Sequence, residues 1–408
     1  MPPHPRDPLN RRLFLQVAGL TTLTGLAAAC GGERPGRRAA AASAVPLSRP
    51  TSPATLPLHA DVPAVASGLE PEKGGTLKLL NYAEYISPDV CKAFGKEHGV
   101  EVEVTVFTTM DEMIAKLRTA GEGFDVCFPT PDVIAKAAVG KLLQPLNASY
   151  LPHLAGVWPQ LRDPFYDKGS RYTVPYNAYT SGIGYRADRV KSLPSNGYDL
   201  LWDAAYKGKS YVIDDAREGL ALAMLRNGVT DINTEDPAKI KQAGAWLAEL
   251  IPRTGVKVGI SAYQLVAEGQ ATVHHCWSGD MINAQAYLPK GVDAEVLGYW
   301  YPDASLGVVG TDTMAVPRNA TKPVLAHMFI DHLLDPKVAE QNFSYTGYQP
   351  ALTAITPEKM VTDGFVTEQL KSTIVTPDVY ARSLQILQIS PPAEALWNDA
   401  WAAFKAGR

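Results

Sequence analysis

The chain has 408 residues, 46% of them hydrophobic and 20% charged, with a formal net charge of -4. This is an ordinary globular composition, long enough for two domains of typical size. So slight an acidity leaves no electrostatic footprint for nucleic acid, and nucleic-acid partners are excluded on that ground.

Residues 1–30 read as an export signal rather than as fold. Asn10-Arg11-Arg12-Leu13-Phe14-Leu15-Gln16 has the form of a twin-arginine signal, and the apolar run from Leu13 to Ala29 is broken by Gly and Thr and too short for a membrane span. Leu26-Ala27-Ala28-Ala29-Cys30 resembles a bacterial lipobox with Cys30 as the lipidated residue, although Leu26 stands one place early; plain cleavage in the alanine run is the alternative. Residues 31–73 are rich in Ala, Pro, Arg and Ser and carry no hydrophobic period, so they read as a disordered or polyproline-like tether. Behind a lipid anchor, such a tether would hold the folded body off the membrane.

The folded body opens with a strand at Gly75–Tyr82, then a helix over Pro88–His98, an alternating strand over Val100–Phe107, a helix over Met110–Thr119 and a third strand at Phe124–Phe128. This β-α-β-α-β order predicts a parallel, doubly wound sheet. The pattern restarts after Gly182, with strands at Ile183–Tyr185, Ser210–Ile213 and Gln270–Trp277. The expected fold is α/β, two doubly wound lobes joined by a hinge, with residues 74–182 plus 311–355 in lobe 1 and 183–310 plus 356–408 in lobe 2. Cys91, Cys127 and Cys276 are an odd count in an exported body, which argues for buried, inert thiols, with one bridged pair as the alternative.

The stretch Asp214-Asp215-Ala216-Arg217-Glu218 lies between a strand and a helix, where open α/β sheets hold ligands. Asp215 and Glu218 are three apart and share a helix face. The same pair is also close to a capping box, which would satisfy orphan N–H groups and nothing more.

Several stretches, in order, resemble one family. They are Asn81-Tyr82-Ala83-Glu84-Tyr85, Phe124-Asp125-Val126 through Pro129-Thr130, Leu200-Trp202-Asp203, Asp214 to Glu218, Trp277-Ser278-Gly279-Asp280, Asp312 to Pro317 and Pro323 to Pro336. Together they are similar to the extracytoplasmic polyamine-binding proteins of ABC importers, the spermidine and putrescine type. The resemblance implies the periplasmic-binding-protein type II architecture, a polyamine ligand, a membrane permease as partner, a monomer, no cofactor and no catalysis. It implies ligand contacts from Tyr82, Glu84, Tyr85, Thr130, Asp215, Glu218, Ser261, Trp277, Asp280, Asp312 and Tyr348, with Asp132 as an added acid where the family has an aromatic or Ser. The chemistry of the ligand agrees: ammonium groups need separated carboxylates, and the methylenes between them need aromatic walls.

Alternatives stand beside these roles. Asp280 could cap the helix after it, Asp312 could cap a turn, Trp277 could be core, and Tyr348 could pack a hinge turn. The family has Trp where this chain has Tyr82, a hydroxyl where it has Ala83, and Trp or Phe where it has Gly310. Loss of the ring at 310 predicts a wider pocket. Other organic cations are the alternative ligands. A metal-dependent extracytoplasmic enzyme using His274, His275 and Asp280 is the other reading, against which adjacent strand residues point to opposite faces.

Overall fold

Alternation on the first strand, Thr76–Asn81 (β1), sends Leu77 and Leu79 to one helical layer and Leu80 to the other, all fully buried. That split organises the first sheet of the computed structural model, which describes residues 45–119, 123–302 and 307–407. Its other early strands are Glu101–Val106 (β2), Val126–Cys127 (β3), Leu143–Gln144 (β4) and Thr173–Pro175 (β5). Helices Pro88–His98 and Pro323–Leu334 pack on the Leu77 side through Phe94 and Phe329. Helices Met110–Thr119 and Pro131–Val139 pack on the Leu80 side through Met113 and Ile134.

The second sheet contains Tyr179–Arg186 (β6), Ser210–Val212 (β7), Lys257–Val258 (β8), Val273–Trp277 (β9), Leu297–Trp300 (β10) and Val308–Gly310 (β11). Thr313–Pro317 (β12) then returns to the first sheet, between β3 and β4. The strand order is β2-β1-β3-β12-β4 in the first sheet, with β5 on β12, and β10-β6-β9-β7-β8 in the second, with β11 on β6. The sheets are mixed, not wholly parallel as the strand–helix alternation suggests. β1 pairs parallel with β2 and β3, but β12 runs antiparallel to β3, and β6 antiparallel to β9. The antiparallel members are the strands where the chain changes lobes, so they arrive without a helical crossover. Two α/β lobes result, with β6 beginning at Tyr179.

The crossing segments are bonded to one another. Tyr176 N–H donates to Asp312 O (2.7 Å), Thr311 Oγ1 to Asn177 O (2.6 Å) and Ala178 N–H to Gln349 O (2.8 Å).

The expected tether is corrected in part. Cys30 and the first part of that stretch lie outside the described residues. From Val45 onward the chain is laid along lobe 1 as an extended strap. Leu56 is fully buried beside Leu80 and Phe107, with Ala54 and Val62 also buried. Ala54 N–H donates to Phe165 O (3.0 Å), Arg171 Nη1 to Leu56 O (2.8 Å) and the Tyr172 hydroxyl to Pro57 O (2.5 Å). Glu72 accepts from Val324 N–H (3.2 Å) and Leu325 N–H (2.9 Å), supplying the missing cap of the helix at Pro323. An extended segment needs no period to dock; a few apolar side chains and satisfied carbonyls suffice. Cys91, Cys127 and Cys276 are buried and free, and burial pushes each thiol up.

Candidate functional site

The parallel strands end where the two lobes face each other. β1 leads to Tyr82–Tyr85, β3 to Thr130, β7 to Asp215 and β9 to Trp277. Helices start directly after the last three, at Pro131, Ala216 and Ser278, so first-turn residues Asp132, Glu218 and Asp280 gather at the opening. First-turn N–H groups favour these carboxylates by about 0.3–1 kcal/mol each. That is too little to offset burial by itself.

Asp215 does cap its helix. One carboxylate oxygen accepts from Arg217 N–H (2.8 Å) and Glu218 N–H (2.9 Å). It is also exposed at the mouth of the cleft. Desolvation by the surrounding protein raises its pKa against the pull of the two N–H groups, and the Asp132 charge adds to the rise. The Arg217 guanidinium turns away from the cleft to Asn233 Oδ1 (2.7 Å) and Leu387 O (3.1 Å), over the Trp397 ring.

Glu218 is 5% exposed. Its Oε1 accepts from Ser181 Oγ (2.8 Å) and Trp277 Nε1 (3.1 Å), while Oε2 is buried without a hydrogen-bond partner. Desolvation, with the Asp215 charge, pushes its pKa up to about 7. Asp280, also 5% exposed, does not cap the helix Ser278–Ala284. Its Oδ1 accepts from the Tyr348 hydroxyl (3.1 Å), Oδ2 is buried without a partner, and burial pushes the group up to about 7. Asp312 does not cap a turn. It accepts from the Tyr85 hydroxyl and from Asn177 Nδ2 (3.2 Å), its N–H donates to Asn177 Oδ1 (2.9 Å), and burial pushes it up to about 6. Asp132 is half-buried, and its charge is felt at Tyr82, Tyr179, Asp215 and Asp312. Among the described residues, no Lys or Arg forms an ion pair with Asp132, Asp215, Glu218, Asp280 or Asp312.

Aromatic rings fill the space between the acids. Tyr82 and Tyr85 meet edge to face at 5.5 Å, Tyr85 and Tyr348 at 4.9 Å, and Tyr179 lies 6.1 Å from Tyr348 and 6.3 Å from Trp277. Trp277 is half-buried and bonded to Glu218, so it is not simply core. Tyr348 packs tightly as well as bonding: a Cβ on Gly279 would lie 2.8 Å from its ring. Burial, with the nearby carboxylates, raises the phenols of Tyr82, Tyr85, Tyr179 and Tyr348 and keeps them neutral.

The expected widening at Gly310 is overturned. Gly310 is the cross-strand partner of Tyr179, and a Cβ there would lie 2.3 Å from Tyr179 Cζ. The tyrosine ring lies on the glycine backbone and occupies the room that the missing side chain leaves.

Thr130 begins the helix at Pro131 with its Oγ1 buried and unpartnered. Glu84 is exposed on the loop after β1 in a left-handed conformation (φ 57°), which costs a non-glycine residue about 1–2 kcal/mol. Ser261 lies beside Tyr263, whose phenol is raised by burial and by Tyr287, lowered by the Ser261 hydroxyl and raised more weakly by Asp280 and Glu84. Sequence reasoning gave no binding role to Asn177, Tyr179, Ser181 or Tyr263. The signal available was Tyr176-Asn177-Ala178-Tyr179, an aromatic and amide run at a lobe crossing with no apolar period.

His274 and His275 point to opposite faces of β9. His274 stacks on Tyr211 with ring centroids 5.4 Å apart, whereas His275 Nε2 stands 4.0 Å behind Glu218 Oε2. Burial lowers their pKa values to about 4 and about 3, so both rings are neutral at pH 7.

The model of the bacterial extracellular solute-binding proteins matches residues 89–365. The chain is 31% identical to spermidine/putrescine-binding periplasmic protein 1 of Haemophilus influenzae, over 67% of this chain and 74% of that protein. It is 31% identical to the putrescine/cadaverine-binding protein of Pseudomonas aeruginosa, over 81% of this chain and 93% of that one. Among solved structures, it superposes on the spermidine/putrescine ABC transporter substrate-binding protein PotD of Streptococcus pneumoniae with a TM-score of 0.69 and 23% identity, covering 82% of this chain and 99% of that chain. The two-lobed fold is that of the periplasmic binding proteins.

Proposed function

The chain belongs to the bacterial extracellular solute-binding proteins, and from that membership we propose that it captures a polyamine of the spermidine or putrescine class between its lobes for an ABC importer. The observation that carries this reading is the pair of orphaned carboxylate oxygens. Glu218 Oε2 and Asp280 Oδ2 are buried, have no hydrogen-bond partner and face no Lys or Arg ion pair among the described residues. A buried, unpaired carboxylate is costly, so an ionised one calls for a cation. Aromatic rings separate the two acids, as a ligand with ammonium groups at the ends of an apolar stem requires. Stacking and cation–π contact contribute about 0.5–2 kcal/mol per ring.

In this reading the amine docks on one lobe, and its remaining charge draws the other down about the crossings at 176–179, 310–312 and 348–350. The loaded form is delivered to a membrane permease, with ATP consumed on a separate subunit, and nothing is catalysed in this chain. The protein works outside the cytoplasm as a monomer, held to the membrane through lipid on Cys30. Other organic cations are the competing ligands.

Titration calorimetry with putrescine, cadaverine, spermidine, spermine and agmatine, and with betaine and glucose as controls, tests the reading. The expected result is saturable, one-to-one binding of at least one polyamine. Binding of betaine with no response to any polyamine overturns it.

A further inference from the structure

Accepting a polyamine as the ligand, we infer that Tyr179 is a specificity-determining wall of the site, supplied from β6 across the sheet onto the bare backbone of β11. Three observations place it. First, Tyr179 and Gly310 are register partners of antiparallel strands, so their side chains would leave the same face of the sheet. Second, a Cβ at 310 would lie 2.3 Å from Tyr179 Cζ, 2.5 Å from its hydroxyl oxygen and 2.6 Å from Cε2. The ring therefore lies against residue 310, where only glycine fits. Third, the ring lies among the acids: after burial, the charges of Asp312 and Glu218 are the largest influences on its phenol. Asp312 belongs to the first sheet's side of the crossing and Glu218 to the second lobe, so Tyr179 sits where a chain spanning both must pass.

The ring is also fixed in place. Trp277 and Tyr348 meet it at interplanar angles of 73° and 82°, and it remains half-buried, so part of its surface is open to a ligand. A methylene chain held between two ammonium groups would pack on such a ring, and the ring would set how long that stretch can be.

Because cross-strand partners share one space, the ring can be moved from one strand to the other. Wild type, Tyr179→Phe, Tyr179→Gly, Gly310→Trp and Tyr179→Gly/Gly310→Trp are titrated with putrescine, cadaverine and spermidine, and each variant's melting temperature without ligand is recorded. Tyr179→Phe is expected to bind within about threefold of wild type, and Tyr179→Gly to lose about 10- to 100-fold with a changed order of preference among the amines. Gly310→Trp alone is expected to lose binding through overlap with Tyr179, and the double variant to recover at least tenfold over Tyr179→Gly. Wild-type affinity and preference in Tyr179→Gly, or no recovery in the double variant at normal melting temperature, overturns the inference while leaving polyamine binding intact. Should Tyr179→Gly fail to fold, Tyr179→Leu removes the ring in its place, and wild-type affinity and preference in that folded variant overturn the inference equally. If wild type binds none of the amines, the reading on which the inference rests fails, and the inference with it.

Discussion

Glu218 and Asp280 are each placed so that one oxygen is satisfied by protein and the other is not. On the proposed reading, such groups stabilise a bound ammonium at the expense of the empty fold. Glu218→Gln and Asp280→Asn should therefore lower polyamine affinity about 10- to 150-fold, the value of one lost charge-assisted hydrogen bond of about 1.5–3 kcal/mol. At pH 8 the ligand-free variants should melt no lower than wild type, because a buried charge has been removed. Calorimetry alongside thermal melting checks this, and a fall in melting temperature with affinity intact would show a structural role instead. The same groups set a pH dependence. Their folded pKa values, about 7 for Glu218 and Asp280 and about 6 for Asp312, lie above the ordinary carboxylate range. Their contribution to the stability of the empty protein is fully present below about pH 4 and is lost as pH rises through about 6 to 7. Binding a polycation requires the ionised forms, so affinity runs the opposite way. It should tighten from pH 5.5 to pH 8, with proton release at pH 7, read as a buffer-dependent heat in two buffers of different ionisation enthalpy. Equal heats, or affinity that falls with pH over this range, would refute it.

At the scale of elements, the helix Ala216–Arg226 begins on a residue with two tasks. Asp215 caps Arg217 and Glu218 N–H groups and also presents negative charge at the cleft mouth. The tasks separate by substitution. Asp215→Ser keeps a capping oxygen and loses the charge, so affinity should drop while stability stays within about 0.5 kcal/mol; Asp215→Ala should cost a further ~1 kcal/mol of stability. Melting and calorimetry on both variants decide it; equal stability of the two would show that the cap contributes nothing. This element was legible because its information is local: an apolar strand, two acids three apart, then a helix. The helices Pro88–His98 and Met110–Thr119 were legible for the same reason. The Tyr179–Gly310 contact was not, because it depends on which strands pair and in what register, over more than a hundred intervening residues. Asn177 escaped likewise, since its bonds to Tyr85 and Asp312 exist only once separate crossings meet. Asp280 and Asp312 read equally well as caps from sequence, and only the positions of Tyr348 and Tyr85 separate the two roles.

For the molecule as a whole, the strap adds a contact between the lobes to those made at the three crossings. It is docked on lobe 1 through Leu56 and reaches the other lobe where Arg49 Nη2 donates to Gln388 O (2.7 Å), in the segment that Asn233 and Glu235 of lobe 2 hold on either side. Composition read this stretch as a tether because prolines and alanines without a period offer no amphipathic face. An extended chain instead docks by single contacts, and Leu56, fully buried, is the largest of them. Leu58, two residues on, is 58% exposed and serves as its control. Leu56→Ala should cost about 2–5 kcal/mol of stability, the range for a truncated core leucine, and Leu58→Ala almost nothing. Arg49→Ala should cost about 1 kcal/mol, the value of one hydrogen bond. Denaturant unfolding of the three variants checks the set. A free tether would leave all of them at wild-type stability, whereas a docked strap makes position 56 sensitive and position 58 silent, a contrast that a general loss of hydrophobicity near the N-terminus cannot produce.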